Sequence, residues 1–165
     1  MIYFTTFIFT LLLAHITRAV PVCGDAASPE DLYDPTYDDV QQPFRPFPNA
    51  TKYPVTWSNF YNNPDGDTKT VVCSKLAEQF PHFKDLHRFP YIGGSFTISN
   101  SSSFDCGKCW ELYNTKTDIA IFLLVIDQID PTASGFNISE MALKKLNAGR
   151  VVPSLEILAK PCLVG

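Results

Sequence analysis

No stretch of this chain is apolar for long enough to cross a bilayer, which takes roughly 20 residues. Its two longest apolar runs, Phe7 to Ala14 and Ile119 to Ile126, both fall well short. Basic residues are outnumbered, 13 Lys and Arg against 17 Asp and Glu, and nowhere form a patch. That excludes the electrostatic footprint of a partner for nucleic acid or an anionic membrane. Histidine is scarce: His15, His82 and His87 are scattered, and no second ligand pair accompanies Cys106 and Cys109, so no zinc set and no metal site is expected. No serine stands in a nucleophile elbow and no glycine-rich loop precedes a helix, so neither a serine hydrolase nor a phosphate-cradling enzyme is indicated, and no cofactor is expected.

What is present begins with an export signal. The short apolar run at Phe7 to Ala14 leads into Thr17-Arg18-Ala19, with small residues at the last and third-last positions of a signal peptidase site. No Lys or Arg precedes the run. The reading is a signal peptide over residues 1–19 and a secreted, extracellular or wall-associated product.

Charge then divides the rest. From Val20 to Ala50 six acids face Arg45 alone, whereas from Thr51 to Gly165 eleven basic residues balance eleven acidic ones. Seven of the 13 prolines lie between residues 20 and 54, where aliphatic residues are few. Such a segment cannot bury enough apolar surface to offset the entropy of ordering. Residues 20–54 therefore read as a disordered acidic extension, and residues 55–165 as the folded domain.

All five cysteines (Cys23, Cys73, Cys106, Cys109, Cys162) follow the signal, and an oxidising compartment makes disulfides the default. The odd count leaves one over. Cys23, in the acidic extension, is the natural outlier and could join two chains into a dimer. A bond between Cys106 and Cys109 would close a very small loop, whereas longer loops constrain the unfolded chain by roughly 3 to 4 kcal/mol each. This favours Cys73–Cys106 with Cys109–Cys162, although the crossing arrangement stays open. A redox role for Cys106-Gly107-Lys108-Cys109 would need a helix N-terminus to stabilise the thiolate, and the residues that follow alternate as a strand instead.

The folded part reads as mainly β. Alternation over Val55 to Tyr61 predicts a strand, followed by the turn residues Asn62-Asn63-Pro64-Asp65-Gly66. Thr68 to Ser74 predicts another strand. Leu76 to Phe89 has helical spacing broken by Pro81, so two short helical turns are expected. Ser95 to Ser99 reads as a strand, and Cys109 to Tyr113 with Ile119 to Ile126 as a hairpin. The latter run, apolar on both faces, should be a central and doubly covered strand. Asn137 or Ser139 can cap a helix over Glu140 to Leu146, and a last strand runs from Val151 to Ala159. About six strands with one or two short helices suggest a closed barrel.

Asp127 places a carboxylate where the apolar run of Ile119 to Ile126 ends. Glycosidase chemistry needs two carboxyls about 5 to 10 Å apart, and Asp130, Asp118 or Asp67 could complete such a pair. Equally, a loop acid of this kind can serve backbone N–H groups. Trp57, Phe60, Tyr61, Tyr91, Trp110, Tyr113 and Phe136 supply rings that could stack on sugars, two or three at most being free of the core. Three glycosylation sequons occur, at Asn49, Asn100 and Asn137; the first two lie in polar loops, and the third at a helix start where packing can hide it.

The ordered series Phe89-Pro90-Tyr91-Ile92-Gly93-Gly94, Cys106-Gly107-Lys108-Cys109-Trp110, Val125-Ile126-Asp127, Ser134-Gly135-Phe136-Asn137-Ile138 and a near-terminal Cys162 resembles the cerato-platanin family of small secreted fungal proteins, over about residues 55–165. The resemblance implies a six-stranded double-ψ β-barrel with the pairing Cys73–Cys106 and Cys109–Cys162. It implies a non-catalytic protein that binds chitin oligosaccharides or other wall polysaccharides, loosens them without cleavage, and is perceived by a host receptor as an elicitor, or assembles at interfaces. The binding groove would use Asp127 and Asn137, with Trp57 and Tyr61 as candidate sugar-stacking rings. Ser74-Lys75-Leu76 departs from the family's usual Ser-Asp-Gly at that point, and the acidic extension lies outside its usual architecture.

Overall fold

A computed structural model of the chain describes residues 51–162. The expected signal peptide, most of the acidic extension, Cys23 and Asn49 lie outside these residues. The barrel consists of β1 (Lys52–Ser58), β2 (Ile92–Ser95), β3 (Cys109–Asn114), β4 (Ile119–Gln128), β5 (Phe136–Ser139) and β6 (Leu155–Pro161), with one helix, α1 (Glu140–Leu146). The sheet closes in the order β1-β5-β2-β4-β3-β6. β1 with β5 and β2 with β4 are parallel, and the other pairs are antiparallel. Closure leaves no unpaired edge, which strands as apolar as β4 would otherwise expose to aggregation. The first strand starts at Lys52, three residues before the domain boundary placed at Val55, because Lys52 to Val55 pair with β6.

β4 carries the fold. Ile121, Leu123 and Val125 enter the barrel core with Val55, Trp110, Leu112, Phe136, Ile138 and Ile157. Leu124 and Ile126 point the other way, into a second cluster with Tyr61, Val71, Phe83, Leu86, Ile92 and Cys109. The doubly covered strand expected from its unbroken apolar run is therefore what forms. Its outer cover is the segment between β1 and β2, built of single 3-10 turns at Asn59–Asn62, Thr68–Thr70, Ser74–Glu78 and Phe83–Asp85 with an isolated antiparallel bridge between Asp67 and His82.

The two turns expected after Leu76 are present, but the strand expected over Thr68 to Ser74 is not. Its backbone donors are spent elsewhere: Thr68 N–H on Pro81 O, Val72 N–H on the Asp127 carboxylate and Cys73 N–H on Ile126 O. The Cys73–Cys106 disulfide ties this cover to the loop before β3. Cys162 reaches the start of β3, where its N–H donates to Cys109 O at 2.9 Å, the adjacency that the second pairing requires.

Two further departures share one cause, close packing of backbones. The strand after Tyr91 is Ile92–Ser95 and not Ser95 to Ser99, so Gly93 and Gly94 sit inside the sheet. A Cβ on Gly93 would lie 2.4 Å from Asn137 O, a distance no real Cβ adopts. β5 was not foreseen as a strand. It can approach β1 because Gly135, at φ +100°, lets the chain pass where a Cβ would fall 2.0 Å from Pro54 O. α1 occupies its expected span, capped by Ser139 Oγ, which accepts from Ala142 N–H at 3.1 Å and donates to Pro90 O at 2.5 Å. The final strand starts at Leu155, four residues later than expected.

Gly93→Ala should lower unfolding free energy by about 3 kcal/mol or more, because backbone cannot yield as a side-chain tip can. Gly149→Ala, at φ +83° but with nothing within 4 Å, should cost only about 1 kcal/mol of left-handed strain. Urea titrations compare the two. A second expectation concerns His87, whose pKa is lowered by burial and then by the charge of Arg88. The unfolded chain thus binds the proton more readily, so the stabilising contribution is complete above about pH 6.5 and is lost as pH falls. The urea midpoint should decline from about pH 7.5 to about pH 5.5, and His87→Gln should flatten that part of the decline.

Candidate functional site

Asp127 stands one residue before the end of β4, and both of its carboxylate oxygens are occupied. Oδ2 accepts from the Tyr61 hydroxyl at 3.1 Å, and Oδ1 accepts from Val72 N–H at 3.0 Å and Gln128 N–H at 2.9 Å. Tyr61 is only 5% exposed. Burial, then the Asp127 charge, then this hydrogen bond raise its phenol pKa far above the ordinary range. Tyr61 is therefore a neutral donor fixed to Asp127, and its ring is core rather than a stacking surface. The alternative weighed for Asp127, an acid serving backbone N–H groups, matches this arrangement.

The other acids considered as catalytic partners lie in separate settings. Asp118 begins the hairpin end of β4, nine residues from Asp127, or about 30 Å along an extended strand. It accepts from the Tyr113 hydroxyl at 2.6 Å. Asp67 caps the turn at Thr68–Thr70 through Lys69 N–H at 2.9 Å. Asp130 is exposed, and its pKa is lowered by hydrogen bonds from the Thr132 hydroxyl at 2.7 Å and the Thr132 N–H at 2.8 Å.

Asn137 is differently placed. Thr56 on β1, Asn137 on β5, Gly94 on β2 and Asp127 on β4 occupy one register row across four strands. Gly94, between Asn137 and Asp127, has no side chain to fill the interval. Asn137 borders a cleft of about 360 Å³ walled by Pro54 and Thr56 of β1, Gln128 to Asp130, Ala133 and Ser134 of the β4–β5 loop, and Phe136. The amide oxygen of Asn137 is buried without a hydrogen-bond partner. An unsatisfied buried polar atom costs roughly 1 to 3 kcal/mol; Thr68 Oγ1, His87 Nε2 and Trp110 Nε1 are in the same state, and of the four only Asn137 borders the cleft.

Of the four residues singled out from sequence, the structure brings Asp127 and Tyr61 into contact and sets Asn137 two strands away in the same row. Trp57 is packed against the barrel core, and its indole N–H donates to Val152 O at 3.0 Å. Trp57 and Tyr61 both stand outside the cleft wall. Thr56, Gln128 and Ile129 were missed, because their shared location depends on β5 pairing beside β1. The one available signal was Gly135 before Phe136-Asn137, a mark of close backbone approach. Ser74-Lys75-Leu76 lies in a 3-10 turn whose Leu76 packs on both clusters, so an apolar anchor stands where the resemblance implied glycine and Lys75 where it implied an acid.

Asp127→Ala should cost about 3 kcal/mol or more, since it strands the Tyr61 hydroxyl and Val72 N–H together. Tyr61→Phe should cost about 1 to 2 kcal/mol, and the double variant should fall short of the sum by about 1 kcal/mol. Denaturant unfolding of the four proteins in this cycle measures the coupling.

Comparison with known proteins bears on the whole barrel. The Cerato-platanin family model matches residues 53–159. The heat-stable 19 kDa antigen of Coccidioides posadasii is 32% identical over 117 residues, covering 65% of this chain and 76% of the antigen. Cerato-platanin of Ceratocystis fimbriata f. sp. platani is 33% identical over 90 residues, covering 50% of this chain and 64% of that protein. Among solved structures, cerato-platanin 2 from M. perniciosa superposes with a TM-score of 0.64 at 28% identity, covering 68% of this chain and 95% of that one.

Proposed function

Because this chain belongs to the cerato-platanin family, we propose that it is a secreted, non-catalytic protein that binds cell-wall polysaccharides of the chitin type in the cleft bordered by Asn137. The observation that carries this reading is the cleft itself, where Asn137 stands with the polar side chains of Thr56, Gln128, Asp130 and Ser134, although the Asn137 amide oxygen is buried. A sugar offers many hydroxyl donors and acceptors, and such a row of polar side chains can meet them. Pro54 and Ile129 provide apolar surface for the C–H faces of a pyranose ring.

Two considerations favour binding over hydrolysis. Asp127 already serves three donors, leaving little of its carboxylate for a substrate proton. Asp130 is exposed with a lowered pKa, the reverse of the raised value that a general acid needs. Wall loosening without cleavage and perception by a host as an elicitor are the family roles consistent with a binder of this kind. Asp127 enters this reading as the positioning residue that holds the end of β4, from which Gln128 to Asp130 extend.

Retention of the purified protein on chitin, cellulose and β-glucan, with soluble oligosaccharides as competitors, is the test. Asn137→Ala should weaken retention by about tenfold, equivalent to one lost hydrogen bond of about 1.4 kcal/mol, with little change in melting temperature. Absence of retention on every polysaccharide would overturn the proposal. Release of reducing sugar during the assay would favour hydrolysis in its place.

A further inference from the structure

The three glycosylation sequons were read above from sequence alone, and the fold distinguishes sharply between the two it describes. At Asn137-Ile138-Ser139 the acceptor lies within β5, hydrogen-bonded in register to β1 and β2. The required hydroxyl, Ser139 Oγ, is fully buried and committed to both Pro90 O and Ala142 N–H. A glycan there would stand in the cleft. At Asn100-Ser101-Ser102 every member is exposed, in the loop between β2 and β3.

The Asn100 loop is also shaped to seat a sugar. Ser103 N–H donates to Asn100 O at 3.0 Å, closing a tight turn, and Ser102 N–H donates to Asn100 Oδ1 at 2.8 Å. The exposed Asn100 amide nitrogen donates to the Ser99 hydroxyl at 3.2 Å. Immediately after the turn comes Phe104, 87% exposed, the most exposed large apolar side chain among the described residues. Lys108 Nζ lies 3.2 Å from the centroid of its ring, and Asp105 in turn holds Lys108 at 2.7 Å. A cation fixed over one face orients the ring and leaves the opposite face open. An exposed, oriented aromatic face beside a sequon is suited to receive the first sugar of the attached chain.

We propose that Asn100 carries an N-linked glycan whose innermost N-acetylglucosamine packs on the free face of Phe104, and that Asn137 is left unmodified. Occupancy at Asn100 covers Phe104 and shields the loop that carries Cys106 of the disulfide. At Asn137, by contrast, the sequon is sequestered once β5 forms, because Ser139 Oγ is buried and committed and Asn137 lies within the sheet. This inference assumes entry into the secretory pathway, and the experiment below supplies that entry independently of the chain's own leader.

Residues 20–165 are expressed in yeast behind a heterologous signal sequence, and the secreted protein is treated with peptide N-glycosidase in heavy-oxygen water. Peptide mass spectrometry should find the heavy deamidation mark at Asn100 and none at Asn137, and Asn100→Gln should remove that glycoform. An unmodified Asn100, or a marked Asn137, in secreted protein would overturn the proposal. Enzymatic glycan removal should lower the melting temperature of the wild-type barrel by about 3 °C and that of Phe104→Ala by about 1 °C or less. Equal losses in both would remove Phe104 from the proposal. Secretion of the chain with its native residues 1–19 in a parallel culture reports on the export reading separately.

Discussion

The carboxylate of Asp127 accepts hydrogen bonds from Tyr61, Val72 and Gln128, three points of the chain that are distant in sequence or mark the end of a strand. Everything around β4 depends on this junction. β4 is apolar on both faces, and its outer residues Leu124 and Ile126 need a cover. That cover is a segment of single 3-10 turns with almost no ladder of its own. Such a segment stays in place only if its few polar groups find fixed partners. The Asp127 oxygens provide two, Cys73 N–H bonding to Ile126 O provides a third, and the Cys73–Cys106 bond adds a covalent one. A buried, neutral Tyr61 is affordable here because its hydroxyl is satisfied by a charge at the barrel's mouth.

The same requirement explains why the candidate site is not where the acid is. A carboxylate that anchors the cover is spent on structure, and the cleft lies two strands away in the same row, at Asn137. Its position follows from three glycines. Gly93 lets β2 lie against β5, Gly94 leaves room for the end of β4 at Asp127 to Ile129, and Gly135 lets β5 turn in beside Pro54. Side chains at those points would hold the strands apart and close the cleft. Close packing of backbone thus creates both the barrel seam and the row of Thr56, Asn137, Gly94 and Asp127.

Several features were legible because their causes are local. α1 has a serine cap, a run of helix formers and a stop at Asn147, all within a dozen residues. The β3–β4 hairpin rests on alternation and a turn adjacent in sequence. Others were not legible because the deciding partner is remote. The β-branched Thr68 to Val72 reads as strand, yet its donors go to Pro81 and Asp127 and it winds into a turn. Phe136 to Ser139 is too short to read as a strand, and is one only because β1 and β2 flank it. Tyr61, expected as a ring for a ligand, is claimed by Phe83 and the outer cluster.

The amino-acid sequence by itself determined the family, the mainly β class, the core identity of β4 and the helix, and it favoured the Cys73–Cys106 bond that the fold contains. These rest on composition, on short-range periodicity and on motif order, which need no knowledge of distant contacts. Tertiary structure decided which polar groups remain available. Asp127 and Tyr61 satisfy one another, Trp57 is tied to Val152, and Asn137 is left with an unmet acceptor beside the cleft. The reason is that hydrogen-bond satisfaction is a property of pairs, and here the pairs form across strands that lie dozens of residues apart.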